Sequence, residues 1–256
     1  MKKLCTFLIV LSPLLNTLAQ TNMRKLEDLV NTKDPGWPFV QQMIDSAKNK
    51  LEILPCDTSR ANDALFKTQV TTRSPMGSVI YKTGGMLVDN GWIRILGSGS
   101  KRITRSLPDW NKGKTFNLFG ESPSFLLIAD DAVGGFFALN GGAFGKDIGL
   151  VYYLSPDRLL WEPLDMSYTG FLYFCFSEDL NKFYAGLRWT GWETAVLKLS
   201  SNKVFSFYPY LWTTEGKDVN KNKRKQVPVE EQFDFNMQTR KQLGLDKKEK
   251  EKQPDQ

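Results

Sequence analysis

Two apolar runs without alternation, residues 125–129 (FLLIA) and 148–154 (IGLVYYL), narrow the folds open to this chain more than any other feature. A strand with one wet face alternates apolar and polar side chains, whereas an unbroken apolar run belongs to a strand covered on both faces. Between the two runs, residues 136–139 read as a further strand, bounded by Gly134-Gly135 and by Asn140-Gly141-Gly142. The remaining sequence must therefore cover two sides of a sheet.

Elements able to do so are legible on both flanks. Asp34-Pro35 reads as a helix N-cap with a first-turn proline, followed by Phe39, Val40, Met43, Ile44 and Ala47 at helical spacing. Leu26, Leu29 and Val30 form a shorter amphipathic piece before it, and residues 51–54 a short strand. Asp57 or Thr58 caps a helix carrying Ala61, Ala64 and Leu65. Ser74-Pro75 opens another helix, with Gly84-Gly85 as its stop. Asp89-Asn90-Gly91 between residues 86–88 and 92–96 is a hairpin signal, because Asn-Gly tolerates positive φ. Residues 97–122, rich in Gly, Ser, Lys and Arg, read as a long surface loop.

Further on, residues 159–164 read as a strand, Ser167 caps a helix through Phe176, and Ser177-Glu178-Asp179 opens an amphipathic helix with Leu180, Phe183, Tyr184 and Leu187. Residues 195–199 and 204–208 read as short strands. The last helix covers 229–243, with Glu230 and Glu231 at its start and Arg240 and Lys241 at its end, matching the helix dipole. With no repeat and no linker, the expectation is one α+β domain over residues 24–245, its mostly antiparallel or mixed central sheet flanked by helices. Residues 246–256, mostly charged, read as a solvated tail.

The start of the chain carries a different signal. Lys2 and Lys3 precede an apolar stretch over residues 4–18, and Thr17-Leu18-Ala19 supplies small residues where a signal peptidase cuts. That stretch is short for a bilayer span, and no later segment is long and apolar enough for one. Residues 1–19 are thus expected to be a cleaved export signal, and the mature protein to be periplasmic or secreted. Cys5 lies before the apolar run, so a lipid-modified cysteine is not expected. Cleavage removes Lys2 and Lys3 and no acid, lowering the net charge from +6 to +4. Cys56 and Cys175 remain, either as one disulfide or as two separate thiols, with Cys175 buried among Phe171, Leu172, Phe174 and Phe176.

Several long motifs carry a family resemblance. The stretches Asn31-Thr32-Lys33-Asp34-Pro35-Gly36-Trp37-Pro38 and Gln69-Val70-Thr71-Thr72-Arg73-Ser74-Pro75-Met76-Gly77 belong to it. So do residues 130–142 (DDAVGGFFALNGG), Trp161-Glu162-Pro163-Leu164, Gly191-Trp192 and Phe207-Tyr208-Pro209. Over roughly residues 25–245 the chain resembles the uncharacterised bacterial domain-of-unknown-function family numbered 2625, which implies no activity. The order of elements from Phe125 to Phe176 is also similar to that of the SUKH superfamily of α+β proteins, many of them immunity proteins. An export signal fits poorly with guarding a cytoplasm.

The 256-residue chain has no histidine. That removes Ser-His-Asp and Cys-His catalysis and His-ligated zinc, but leaves carboxylate chemistry available. Asp130-Asp131, at the end of a buried strand, reads either as a cation site completed by Asp147 or as an Asp-Gly turn. The spacing matches no calcium loop, which favours the turn. Trp92 and Arg94 are expected on one strand face, holding a planar or anionic ligand if that face is open and serving the core if it is covered. Trp161-Glu162 and Trp192-Glu193 raise a sugar-binding or glycosidase reading. The lysines and arginine at 217–225 read as a solvated loop, and no nucleic-acid partner is expected. The reading favoured is an exported, non-catalytic binding domain with a protein or envelope ligand and neither cofactor nor metal. Its rival is a hydrolase of envelope material using Asp130, Asp131 or Glu162.

Overall fold

A seven-stranded antiparallel meander, each strand hydrogen-bonded to the next in sequence, forms the centre of the computed structural model, which describes residues 23–246. The expected export signal and all but the first residue of the charged tail lie outside the described residues. The chain enters through α1 (Leu26–Leu29), α2 (Trp37–Asp45), β1 (Leu51–Ile53), α3 (Thr58–Thr68) and α4 (Pro75–Lys82). Then come β2 (Gly85–Val88) and β3 (Ile93–Leu96), α5 (Leu107–Asn111), and the strands β4 (Phe125–Asp131), β5 (Phe136–Asn140), β6 (Leu150–Leu154) and β7 (Trp161–Ser167). After α6 (Tyr168–Ser177), α7 (Leu180–Phe183) and α8 (Trp192–Leu197), a ribbon of β8 (Lys203–Tyr208) and β9 (Lys223–Pro228) precedes α9 (Val229–Gln242).

Both faces of the sheet are covered, as the unbroken apolar runs require. Phe136 and Phe137 are adjacent on β5 and point to opposite sides. The Phe137 ring meets Phe171 of α6 at 4.9 Å, while the Phe136 ring meets Phe233 of α9 at 5.0 Å. Both phenylalanines are fully buried.

The caps fall largely where the sequence puts them. The side chains of Asp57, Ser74, Ser167 and Asp179 accept the first free backbone N–H groups of α3, α4, α6 and α7. For α2 the first-turn proline is Pro38 and the N-cap is Gly36, so that helix starts two residues later than Asp34-Pro35 implied. Asp89-Asn90-Gly91 makes the expected connection between β2 and β3 as one tight turn, with Asp89, Asn90 and Gly91 all at positive φ.

Three expectations are corrected. Residues 97–122 are not a surface loop: Ser98, Ser100, Ile103 and Ser106 are buried, and α5 lays Leu107, Trp110 and Asn111 into the core. Asn111 gives β4 its missing partners, accepting from Leu127 N–H and donating to Leu127 C=O at 2.8 Å each. Residues 195–199 belong to α8 and the turn after it, because Gly191, at φ 82°, starts a helix that buries Trp192 and Val196. Within the basic run, Lys223, Arg224 and Lys225 lie on β9 and Asn222 is buried, donating to the Gly216 carbonyl. Among the described residues no helix is long and apolar enough to cross a membrane.

Candidate functional site

Asp130 and Asp131 end β4 as the sequence suggests, but alternation sends them to opposite faces. Asp130 is fully buried beside Arg94, whose Nε donates to Oδ1 at 2.6 Å, and Arg105 binds the other oxygen. Arg105 also donates to the Ser201 carbonyl and to Asn202 Oδ1, and its guanidinium lies 5.0 Å from the Trp110 ring centre. One carboxylate thus serves two guanidinium groups away from water. Burial lowers the Arg105 pKa from its usual value, and the Asp130 charge opposes that change.

Asp131 occupies a separate polar pocket of the core. Its Oδ1 accepts the backbone N–H groups of Val133 at 3.0 Å and Gly135 at 2.8 Å, closing the turn into β5. Its Oδ2 accepts the hydroxyls of Tyr153 at 2.6 Å and Tyr184 at 3.2 Å. Burial pushes the Asp131 carboxyl up, and these hydrogen bonds offset part of the rise. Burial likewise pushes the Tyr153 and Tyr184 hydroxyls up, helped by the Asp131 charge.

Trp92 and Arg94 do not share an open face. Trp92 has helical dihedrals (φ −60°, ψ −48°), so strand alternation begins only after it. Its ring packs against Trp192 at 4.9 Å and Tyr184 at 5.2 Å, and both Trp92 and Arg94 are completely buried. Arg188, which the sequence reading passed over, closes this cluster: its guanidinium stacks 3.9 Å from the Trp192 ring centre and pairs with Asp89. The cation site with Asp147 is not assembled, because Asp147 accepts from Asn140 Nδ2 at 2.9 Å and from the Tyr152 hydroxyl at 2.7 Å. Among the described residues no group of three or more Cys, Asp or Glu side chains is placed to hold a metal. Cys56 and Cys175 form no disulfide; Cys56 is exposed and Cys175 buried.

An open site lies elsewhere. A cavity of about 620 Å³ opens where β7, at the edge of the sheet, meets the end of α9 and the loop after β5. Its wall is aromatic: Phe144 stacks on Trp161 at 4.8 Å with 29° between planes, and Phe125 and Tyr152 lie within 5.1 Å of Phe144. The loop that carries Phe144 is set by Asn140, whose Oδ1 accepts the backbone N–H of Gly142 and of Phe144. Arg240 of α9 donates to the Leu159 carbonyl just before β7 and so fixes the opposite side. Leu159 itself is held at φ 57°, in the left-handed region that leucine seldom adopts.

Charges of both signs line the cavity. Arg158 pairs with Glu162 at 2.8 Å, while Lys241 and Asp246 stand at the end of α9 and beyond it. Trp161 and Glu162, singled out as a sugar-binding or glycosidase pair, are therefore both at this cleft, whereas Trp192 and Glu193 line none of it. The sequence reading missed Phe144, Tyr152, Arg240 and Lys241 as a group. They converge only after β5, β6 and α9 are placed, and no local spacing announces that.

The comparisons agree with the family motifs. A curated relative from Haemophilus influenzae, described as "Uncharacterized protein", is 42% identical over 223 residues, covering 87% of this chain and 98% of the relative. Another from Escherichia coli strain K12, "Putative uncharacterized protein YbfG", is 46% identical over 190 residues, covering 74% of this chain and 86% of the relative. No solved structure matches the chain. The model of the family described as "Protein of unknown function DUF2625" matches residues 26–232, and the chain belongs to that family.

Proposed function

We propose that this protein is an exported, non-catalytic binding domain whose ligand sits in the cleft between β7, the loop after β5 and the end of α9. One observation carries this reading. The acidic pair that offered a catalytic or cation site is sealed in the core, while the open cavity is walled by aromatic side chains. Cavities of some 300–1,000 Å³ with a mainly apolar lining and a few convergent polar groups are the usual form of a small-ligand site. The basic, apolar and small-residue sequence of residues 1–19 supports export. The element order similar to the SUKH superfamily points to binding rather than catalysis.

A second reading is a hydrolase using carboxylates of the same cleft, since Glu162 and Asp246 both line it. The ion pair between Glu162 and Arg158 weighs against it, because that carboxylate is already engaged by a guanidinium. The discriminating experiment incubates the mature protein with envelope extract and measures both bound material and released products. Retention of a ligand without turnover supports the binding domain. Hydrolysis that disappears in Glu162→Gln would replace it with the enzyme.

A further inference from the structure

Resting on the reading of the cleft as a ligand site, we propose that its ligand is a saccharide, bound with one ring face against Phe144. Two features of the lining select this chemistry. First, the wall is aromatic: the half-buried Phe144 ring is stacked on Trp161, with Phe125 tilted against both. The part of Phe144 left open offers an aromatic surface to a ligand with an apolar face. Second, the polar groups at the cavity are of both signs: Arg158, Arg240 and Lys241 donate, whereas Glu162 and Asp246 accept. A simple organic anion would meet two carboxylates, and a simple cation would meet three positive side chains. Hydroxyl groups donate and accept at once, so a neutral ring bearing several of them suits both kinds of neighbour.

The sugar ring thus lays its C–H face on Phe144 while its rim hydroxyls reach Glu162, Lys241 and Asp246. No bond is made or broken in this scheme. Glu162, oriented by its ion pair with Arg158, accepts from one ring hydroxyl.

The test is titration calorimetry of the mature protein with chitotetraose, maltotetraose, cellotetraose and a peptidoglycan disaccharide, alongside anilinonaphthalene sulfonate as an aromatic anion. At least one glycan is expected to bind and to lose about tenfold or more in affinity in Phe144→Ala, the scale of one lost aromatic contact. Lys241→Ala, at an exposed position, is expected to weaken the same glycan several-fold without changing the melting temperature, which keeps the test valid if Phe144→Ala folds poorly. If the dye binds in a Phe144-dependent manner and no glycan does, the cleft remains a ligand site and the saccharide assignment falls. If neither dye nor glycan binds, the cleft reading falls with it.

Discussion

Asp130 and Asp131 are consecutive residues of one strand, yet their carboxylates lie on opposite faces of the sheet and share no partner. Asp130 balances Arg94 and Arg105, whereas Asp131 holds two backbone amides and two tyrosine hydroxyls. A pair that looks like a site in sequence is two structural devices in space. Each makes a prediction of its own.

Removing the Asp130 charge leaves two guanidinium groups in the core without a counter-ion. Asp130→Ala is expected to cost about 3–5 kcal/mol, the range for breaking a buried pair from one side. Urea unfolding monitored by circular dichroism measures it. A loss under about 1 kcal/mol would mean that water reaches Arg94 in solution.

Asp131 governs a pH dependence whose sign follows from burial. Its folded pKa lies above the unfolded value of about 4, so over that interval the folded state holds a proton that the unfolded chain releases. Its contribution to stability is complete below about pH 4 and is lost as pH rises through the raised value. The stability of wild type relative to Asp131→Asn, measured by urea unfolding at successive pH values, is therefore expected to be greatest in acid. It should then decline as pH rises through the raised value and level off above it.

Gly135 shows why the turn after β4 needs glycine. A Cβ there would stand 2.3 Å from both Asp131 Oδ2 and the Tyr153 hydroxyl oxygen. Gly135→Ala is expected to break their hydrogen bond and cost roughly 1–3 kcal/mol, the usual penalty for overpacking a core. Thermal unfolding together with the near-ultraviolet tyrosine signal reports both effects.

Cys56 and Cys175 differ in access. Cys56 is exposed, whereas Cys175 is buried and its pKa is pushed well up by that burial. Titration with a chromophoric disulfide under native conditions is expected to label one thiol quickly and the second only after denaturant is added. Two thiols silent even in denaturant would show that the chain carries the disulfide after all.

Much of the fold was legible because its signals are local. Unbroken apolar runs marked β4 and β6, and Asp57, Ser74 and Ser167 marked helix starts. The misread segments are those in which polar residues find distant partners. Arg105 looks like loop composition until Asp130, 25 residues away, is folded against it. Asn222 looks solvated until Gly216 closes over it. The cleft was the least legible part, because Arg240 meets Leu159 across 81 residues and Phe144 is carried in by an Asn140 turn. Only Trp161 and Glu162 announced it, through their residue types alone.

The most direct measurement is the indole N–H spectrum of the protein's seven tryptophans, recorded while a glycan from the calorimetric panel is added. The Trp161 signal is expected to shift progressively and to saturate, while Trp92 and Trp110, packed beside the buried charges, stay in place. Movement of Trp92 or Trp110 with Trp161 unchanged would contradict the assignment of function to this cleft.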